Sequence, residues 1–122
     1  MAKLIGLVGH CGPDAYMLRS AVKYAVKDAE VRMLNDDEAL RTAIESTDAV
    51  LLVNRQIDGD FPTYEGVELI RALKASHPNV RTMLVSNYAD AQAAAVAAGA
   101  LEGFGKSEIG SSKMKERLAA AI

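Results

Sequence analysis

The chain has 122 residues, half of them apolar and a quarter charged, and 14 basic against 16 acidic side chains leave a net charge of −2. That balance offers no bulk cationic field to a nucleic-acid backbone, and no apolar run approaches the ~18–20 residues that a membrane-spanning helix needs. A single cysteine, Cys11, cannot form an internal disulfide, and the first nine residues lack the features of a secretion signal, so one cytoplasmic domain over residues 1–122 is expected.

The apolar half is built from small residues: 21 alanines, no tryptophan and six other aromatics. Leu4-Ile5-Gly6-Leu7-Val8 is a continuous apolar run ended by Gly9, as expected of a strand buried on both faces. Pro13 then opens a helix, because a missing N–H costs nothing in a first turn. Leu18, Ala21, Val22, Ala25 and Val26 give this helix one apolar stripe. Val31–Leu34 reads as a second strand, and Arg32 within it points to an edge or near-edge position. Asn35 followed by Glu38 resembles a capping box for a helix running to about Glu45.

Ala49-Val50-Leu51-Leu52-Val53 is the strongest strand and the natural sheet centre. A polar loop follows over Asn54–Thr63, then a helix from Tyr64 to Ser76 that Pro78 stops. Val80–Val85 is the fourth strand. Tyr88–Ala98 is an alanine-rich helix closed by Gly99, and Leu101–Gly105 is a weak fifth strand. Ser111 or Ser112 caps a last helix that turns Met114, Leu118 and Ala121 inward. Strict alternation of strands and helices predicts a flavodoxin-like, doubly wound α/β domain. Its five parallel strands are expected in the order 2-1-3-4-5, with five helices. Such folds bind at the carboxyl ends of their strands, which points to the loops at Gly9–Gly12, Asn54–Thr63, Ser86–Tyr88 and Gly105–Lys106.

Those loops carry a resemblance to the receiver domain of two-component response regulators. Asp48–Leu52 followed after a loop by Gly66–Ile70 is similar to the family's phosphorylation strand and following helix. Ser86-Asn87-Tyr88 is like its Thr/Ser-Ala-Tyr, and Ala98-Gly99-Ala100 like its Ala-Gly-Ala turn. Lys106 stands seven residues after Gly99, at the spacing of the family's lysine. The likeness spans the chain and implies a signalling module in which Ser86 and Lys106 keep the phosphate-contact positions. It also implies docking of a protein partner, or of a second copy, on the face of helix four, strand five and helix five. The alanine-rich helix, with Asp90 and Ala97 on its outward side, leaves that face small and lightly charged.

The sequence departs from the family where Mg²⁺ is held, because that cation wants several hard carboxylate oxygens. Gly9, His10 and Cys11 occupy the acidic-pair region, and Asn54 occupies the phosphoacceptor position. Arg55 adds a positive charge beside it. No metal is expected, and an amide cannot form an acyl phosphate. The expectation is therefore a non-enzymatic, receiver-like module without the usual aspartyl phosphorylation. Two alternatives stay open. One is a redox or small-ligand site around Cys11, beside a helix N-terminus that favours negative charge. The other is phosphorylation at a displaced Asp58 or Asp60. Lys106 is expected to pair with one of these two acids or to stay solvated. No cofactor is expected: His10-Cys11 is not a ligand spacing, and Gly9-x-x-Gly12 is not a dinucleotide fingerprint.

Overall fold

The computed structural model describes residues 4–122; the first three residues of the stretch tested for a secretion signal lie outside them. The chain alternates β1 (Leu4–Val8), α1 (Gly12–Ala25), β2 (Glu30–Leu34), α2 (Asp37–Ser46), β3 (Ala49–Asn54), α3 (Gly66–Ser76), β4 (Arg81–Val85), α4 (Ala89–Ala97), β5 (Leu101–Phe104) and α5 (Ser112–Ala121). The five strands form one parallel sheet in the order β2-β1-β3-β4-β5, as expected. Arg32 and Met33 are exposed because β2 is the edge strand.

Alternate residues of the central strands divide the core. Leu51, Val53 and Leu84 face a layer made by α2, α3 and α4, where Leu40, Leu69, Leu73 and Ala95 are buried. Ile5, Leu7, Val50 and Leu52 face the opposite layer, made by α1 and α5, where Leu18, Val22, Met114 and Leu118 are buried. Both faces are covered, so both parities of each central strand must be apolar. Each fully buried Leu or Ile contributes about 1.5–3 kcal/mol relative to exposure, and the strands carry seven of them: Leu4, Ile5, Leu7, Leu34, Leu51, Leu52 and Leu84.

Local boundaries differ from the sequence expectation where a competing hydrogen bond wins. The cap of α2 is Asp36, whose carboxylate accepts from Ala39 N at 2.7 Å, so the Asn35–Glu38 box does not form. Helix α3 starts at Gly66 and not at Tyr64. Ile57 N donates to Tyr64 O, Gly66 N donates to Arg55 O (both 2.8 Å), and these bonds keep Tyr64 and Glu65 out of the helix. Tyr88 is the N-cap of α4 and lies outside it. Ser111 caps α5 by accepting from Met114 N at 3.3 Å, as expected. A short 3₁₀ turn over Lys106–Glu108, which the sequence did not announce, follows β5.

The register brings the functional loops level. Val8 pairs with Val53 and Asn54 with Val85, so β1, β3 and β4 end side by side. Their loops surround a single cleft.

Candidate functional site

The cleft begins with the turn after β1. Gly9 has φ +74°, a left-handed conformation that bends the chain out of the strand. Its carbonyl then accepts from Asp58 N at 2.9 Å and from Asn54 Nδ2 at 3.3 Å, tying the loop after β3 across the end of β1. His10 is buried, with Nε2 2.8 Å from the carbonyl of Leu52. A carbonyl only accepts, so Nε2 carries the proton. Burial is the main reason that the imidazole titrates below its ordinary value, with the nearby Lys106 charge adding to it. His10 is thus a neutral clip between the β1–α1 turn and the central strand.

Cys11 is exposed at the N-cap of α1 and makes no capping bond with its side chain. Lys106 Nζ donates to Asp14 Oδ2 at 3.0 Å. This corrects the expected pairing of Lys106 with Asp58 or Asp60: the first turn of α1 puts a carboxylate within reach of the β5 loop, and neither loop acid comes as close. The Lys106 bond, followed by one from the Cys11 thiol, holds the Asp14 carboxyl below its ordinary range.

Asn54 sits at the last position of β3 and is only 7% exposed. Its Nδ2 is committed to Gly9 O and to Gln56 O at 2.8 Å, whereas its Oδ1 is buried without a partner. The Arg55 guanidinium lies over the Tyr88 ring, 4.6 Å from its centroid. The structure separates the two loop acids. Asp58 lines the cleft with Asn54, Arg55, Ser86 and Lys106. Asp60 lies on the other side of the loop: its N–H donates to Asn35 O at 3.0 Å, its carbonyl accepts from Asp37 N, and it faces Asp36 and Glu38. It is therefore outside the cleft, because two backbone bonds hold it beside β2 and α2.

Ser86, at the end of β4, is buried, and its Oγ accepts from Tyr88 N at 3.2 Å. Asn87 Oδ1 accepts from both the N–H and the hydroxyl of Ser107 at 3.0 Å, fixing the 3₁₀ turn that presents Lys106. Gln92 was not singled out from the sequence. Its Nε2 reaches the carbonyls of Leu84, Ser86 and Phe104 at 2.9, 3.0 and 3.2 Å, fastening α4 to the ends of β4 and β5. The available signal was one amide side chain in an otherwise alanine-rich helix.

The resulting cleft has a volume of about 620 Å³ and is open to solvent. It holds two cationic side chains, one carboxylate and several amide and hydroxyl groups. Among the described residues, no group of three His, Cys, Asp or Glu side chains could hold a metal ion. Beside it, α4, β5 and α5 enclose a shallower groove of about 710 Å³, floored by Ala89, Ala93, Val96 and Phe104. Lys113–Glu108 (3.2 Å) and Arg117–Glu102 ion pairs flank that groove.

No protein-family model matches the chain, and no curated protein does. Solved structures match over nearly the whole length. The signal receiver domain of a DNA-binding response regulator from Colwellia psychrerythraea 34H superposes with a TM-score of 0.73 at 15% identity, covering 96% of this chain and 95% of that one. The receiver domain of NtrX from Brucella abortus gives 0.70 at 19% identity, covering 97% and 93%. A putative response regulator from Chloroflexus aurantiacus J-10-fl gives 0.72 at 19% identity, covering 98% and 99%. The chain spans 27% of a longer NtrX structure and 57% of the RcsB response regulator from Salmonella typhimurium. The protein has the fold of response-regulator receiver domains.

Proposed function

We propose that this chain is a signalling module of receiver fold that acts by docking a protein partner or a second copy, and that it does not take a phosphoryl group by the Mg²⁺-dependent aspartyl route. The observation that carries this reading is the state of the strand ends. Positions where the resembled family places its carboxylates hold Gly9, His10 and Asn54. None of the three can accept a hard cation as a carboxylate does, and each has a structural commitment. Gly9 occupies a left-handed turn, the His10 imidazole is bonded to β3, and the Asn54 amide nitrogen is bonded to Gly9 and Gln56 carbonyls. The retained Lys106 is neutralised by Asp14.

The docking part of the reading is supported by the groove of α4, β5 and α5. Only Ala95 of α4 is buried, which leaves Ala93 and Val96 exposed beside Leu101 of β5. A non-enzymatic role agrees with the cleft chemistry. Cys11 is exposed, and the Asp14 carboxylate of the same helix is already engaged by Lys106.

The test is incubation of the protein with acetyl phosphate and Mg²⁺, followed by intact mass. No phosphoryl adduct is expected. A stoichiometric adduct that disappears in Asp58→Asn would overturn the reading and establish phosphorylation at the displaced acid. Addition of a thiol-directed mass at Cys11 under mild oxidant, with loss of partner binding, would favour a redox module instead.

A further inference from the structure

The cleft carries charges of both signs that the fold leaves unused. Arg55 and Asp58 both line it, and among the described residues neither belongs to an ion pair, although Lys106 pairs with Asp14 at its edge and seven pairs form elsewhere. Arg55 rests only on the face of Tyr88, an arrangement that satisfies none of its five N–H donors. Lys106 uses one N–H on Asp14 and retains two. The Ser86 hydroxyl receives a bond from Tyr88 N and still has its own proton to give. On the accepting side stands the Asp58 carboxylate; Asn54 also lines the cleft, and its Oδ1 is buried without a partner, as are Asp37 Oδ1 and Arg117 Nε elsewhere.

This distribution discriminates between ligand classes. A simple anion would be drawn to Arg55 and Lys106 but would meet the Asp58 carboxylate. A simple cation would reach Asp58 but be opposed by the unpaired Arg55. A molecule with an anionic group at one end and an N–H donor at the other answers both halves. With Asp14 counted, the four charged side chains sum to zero, as suits a ligand with no net charge. The volume of about 620 Å³ lies within the range of small-molecule sites.

We propose that the cleft binds a small zwitterion of the amino-acid class, with its carboxylate on Arg55 and Lys106 and its ammonium on Asp58. Binding draws Arg55 off the Tyr88 ring. Because Tyr88 caps α4, occupancy of the cleft is reported at the start of the helix that lines the docking groove. The proposal goes beyond the docking reading and does not rest on it.

The test uses the whole chain, ¹⁵N-labelled and without Mg²⁺, titrated separately with each common amino acid, with γ-aminobutyrate, and with acetate, methylammonium and inorganic phosphate. At least one zwitterion is expected to shift the Asn54 side-chain amide and the Arg55 Nε–H saturably below about 10 mM, at least roughly tenfold more tightly than acetate or methylammonium. Arg55→Gln and Asp58→Asn lie in the loop after β3, and each is expected to weaken binding roughly tenfold with the remaining backbone signals in place. Three results would overturn the proposal: no zwitterion binding in that range, phosphate or acetate binding as tightly as any zwitterion, or affinity indifferent to Asp58→Asn. None of them touches the docking reading, which is judged by self-association and partner capture.

Discussion

Gly9→Ala is a severe perturbation made by adding one methyl group. Gly9 has φ +74°, where an L-residue brings its Cβ against its own backbone at a cost of about 1–2 kcal/mol. The new methyl would also stand 2.5 Å from Ile57 Cγ2 and 3.0 Å from Ile57 Cα. The second of these is backbone, pinned by the neighbouring Asp58 N–H to Gly9 O bond, so it cannot swing aside as a side-chain tip would. Overpacking of this kind costs a further ~1–3 kcal/mol. The expected loss is therefore about 2–5 kcal/mol, with a melting temperature lower by some 8–20 °C at roughly 4 °C per kcal/mol for a chain of this size. Urea denaturation followed by far-ultraviolet circular dichroism measures it, with an unchanged m-value as the check that only stability moved. Ile57→Ala removes Cγ2 and should couple favourably with Gly9→Ala in a double-mutant cycle, while the φ penalty remains. A loss under about 1 kcal/mol would show that the β1–α1 turn relaxes freely, and the reasoning would fail. Gly9→Asp would meet the same Ile57 contact at its Cβ.

Further outcomes follow from the same geometry. His10 is held neutral by burial and its folded pKa lies below the ordinary value, so the unfolded chain binds more protons between the two; stability should be complete above about pH 6.5 and fall as pH is lowered through that window, and His10→Gln should remove that slope in urea midpoints. Lys106→Met should change stability by less than about 1 kcal/mol, since both partners of its ion pair are about a third exposed, while the Asp14 carboxyl rises toward its ordinary value by NMR titration; a loss above ~2 kcal/mol would reveal a desolvated pair. Asp36→Ala should cost about 0.5–2 kcal/mol as the true cap of α2, and Asn35→Ala close to nothing, in paired thermal melts. Val96→Glu, on the exposed side of α4, should abolish self-association in sedimentation without altering the fold; a chain monomeric before and after the change would leave only a foreign partner.

The sequence by itself determined the architecture. Runs such as Leu4–Val8 and Ala49–Val53 are apolar at both parities, which only a sheet covered on both faces can use, and the helical stripes between them dictate parallel crossovers. The strand order and the level ends of β1, β3 and β4 follow, and with them the location of the cleft. Residue identities alone also raised the expectation, from the resemblance, that Gly9, His10 and Asn54 stand where that family places carboxylates. What only the tertiary structure decided are the partners of the polar groups, because these depend on atoms distant along the chain. Lys106 takes Asp14, 92 residues away, because the 3₁₀ turn after β5 aims it at the first turn of α1. His10 clips to Leu52, 42 residues on, and Asn54 reaches back 45 residues to Gly9. Asp58 and Asp60 are equivalent in the sequence, yet the bonds of Asp58 N to Gly9 and of Asp60 N to Asn35 turn them to opposite sides of one loop. Hydrophobic periodicity is a local property that any window of the chain displays. A hydrogen bond has a range of about 3 Å, and which donor comes within it is settled only when the strands and turns have already met.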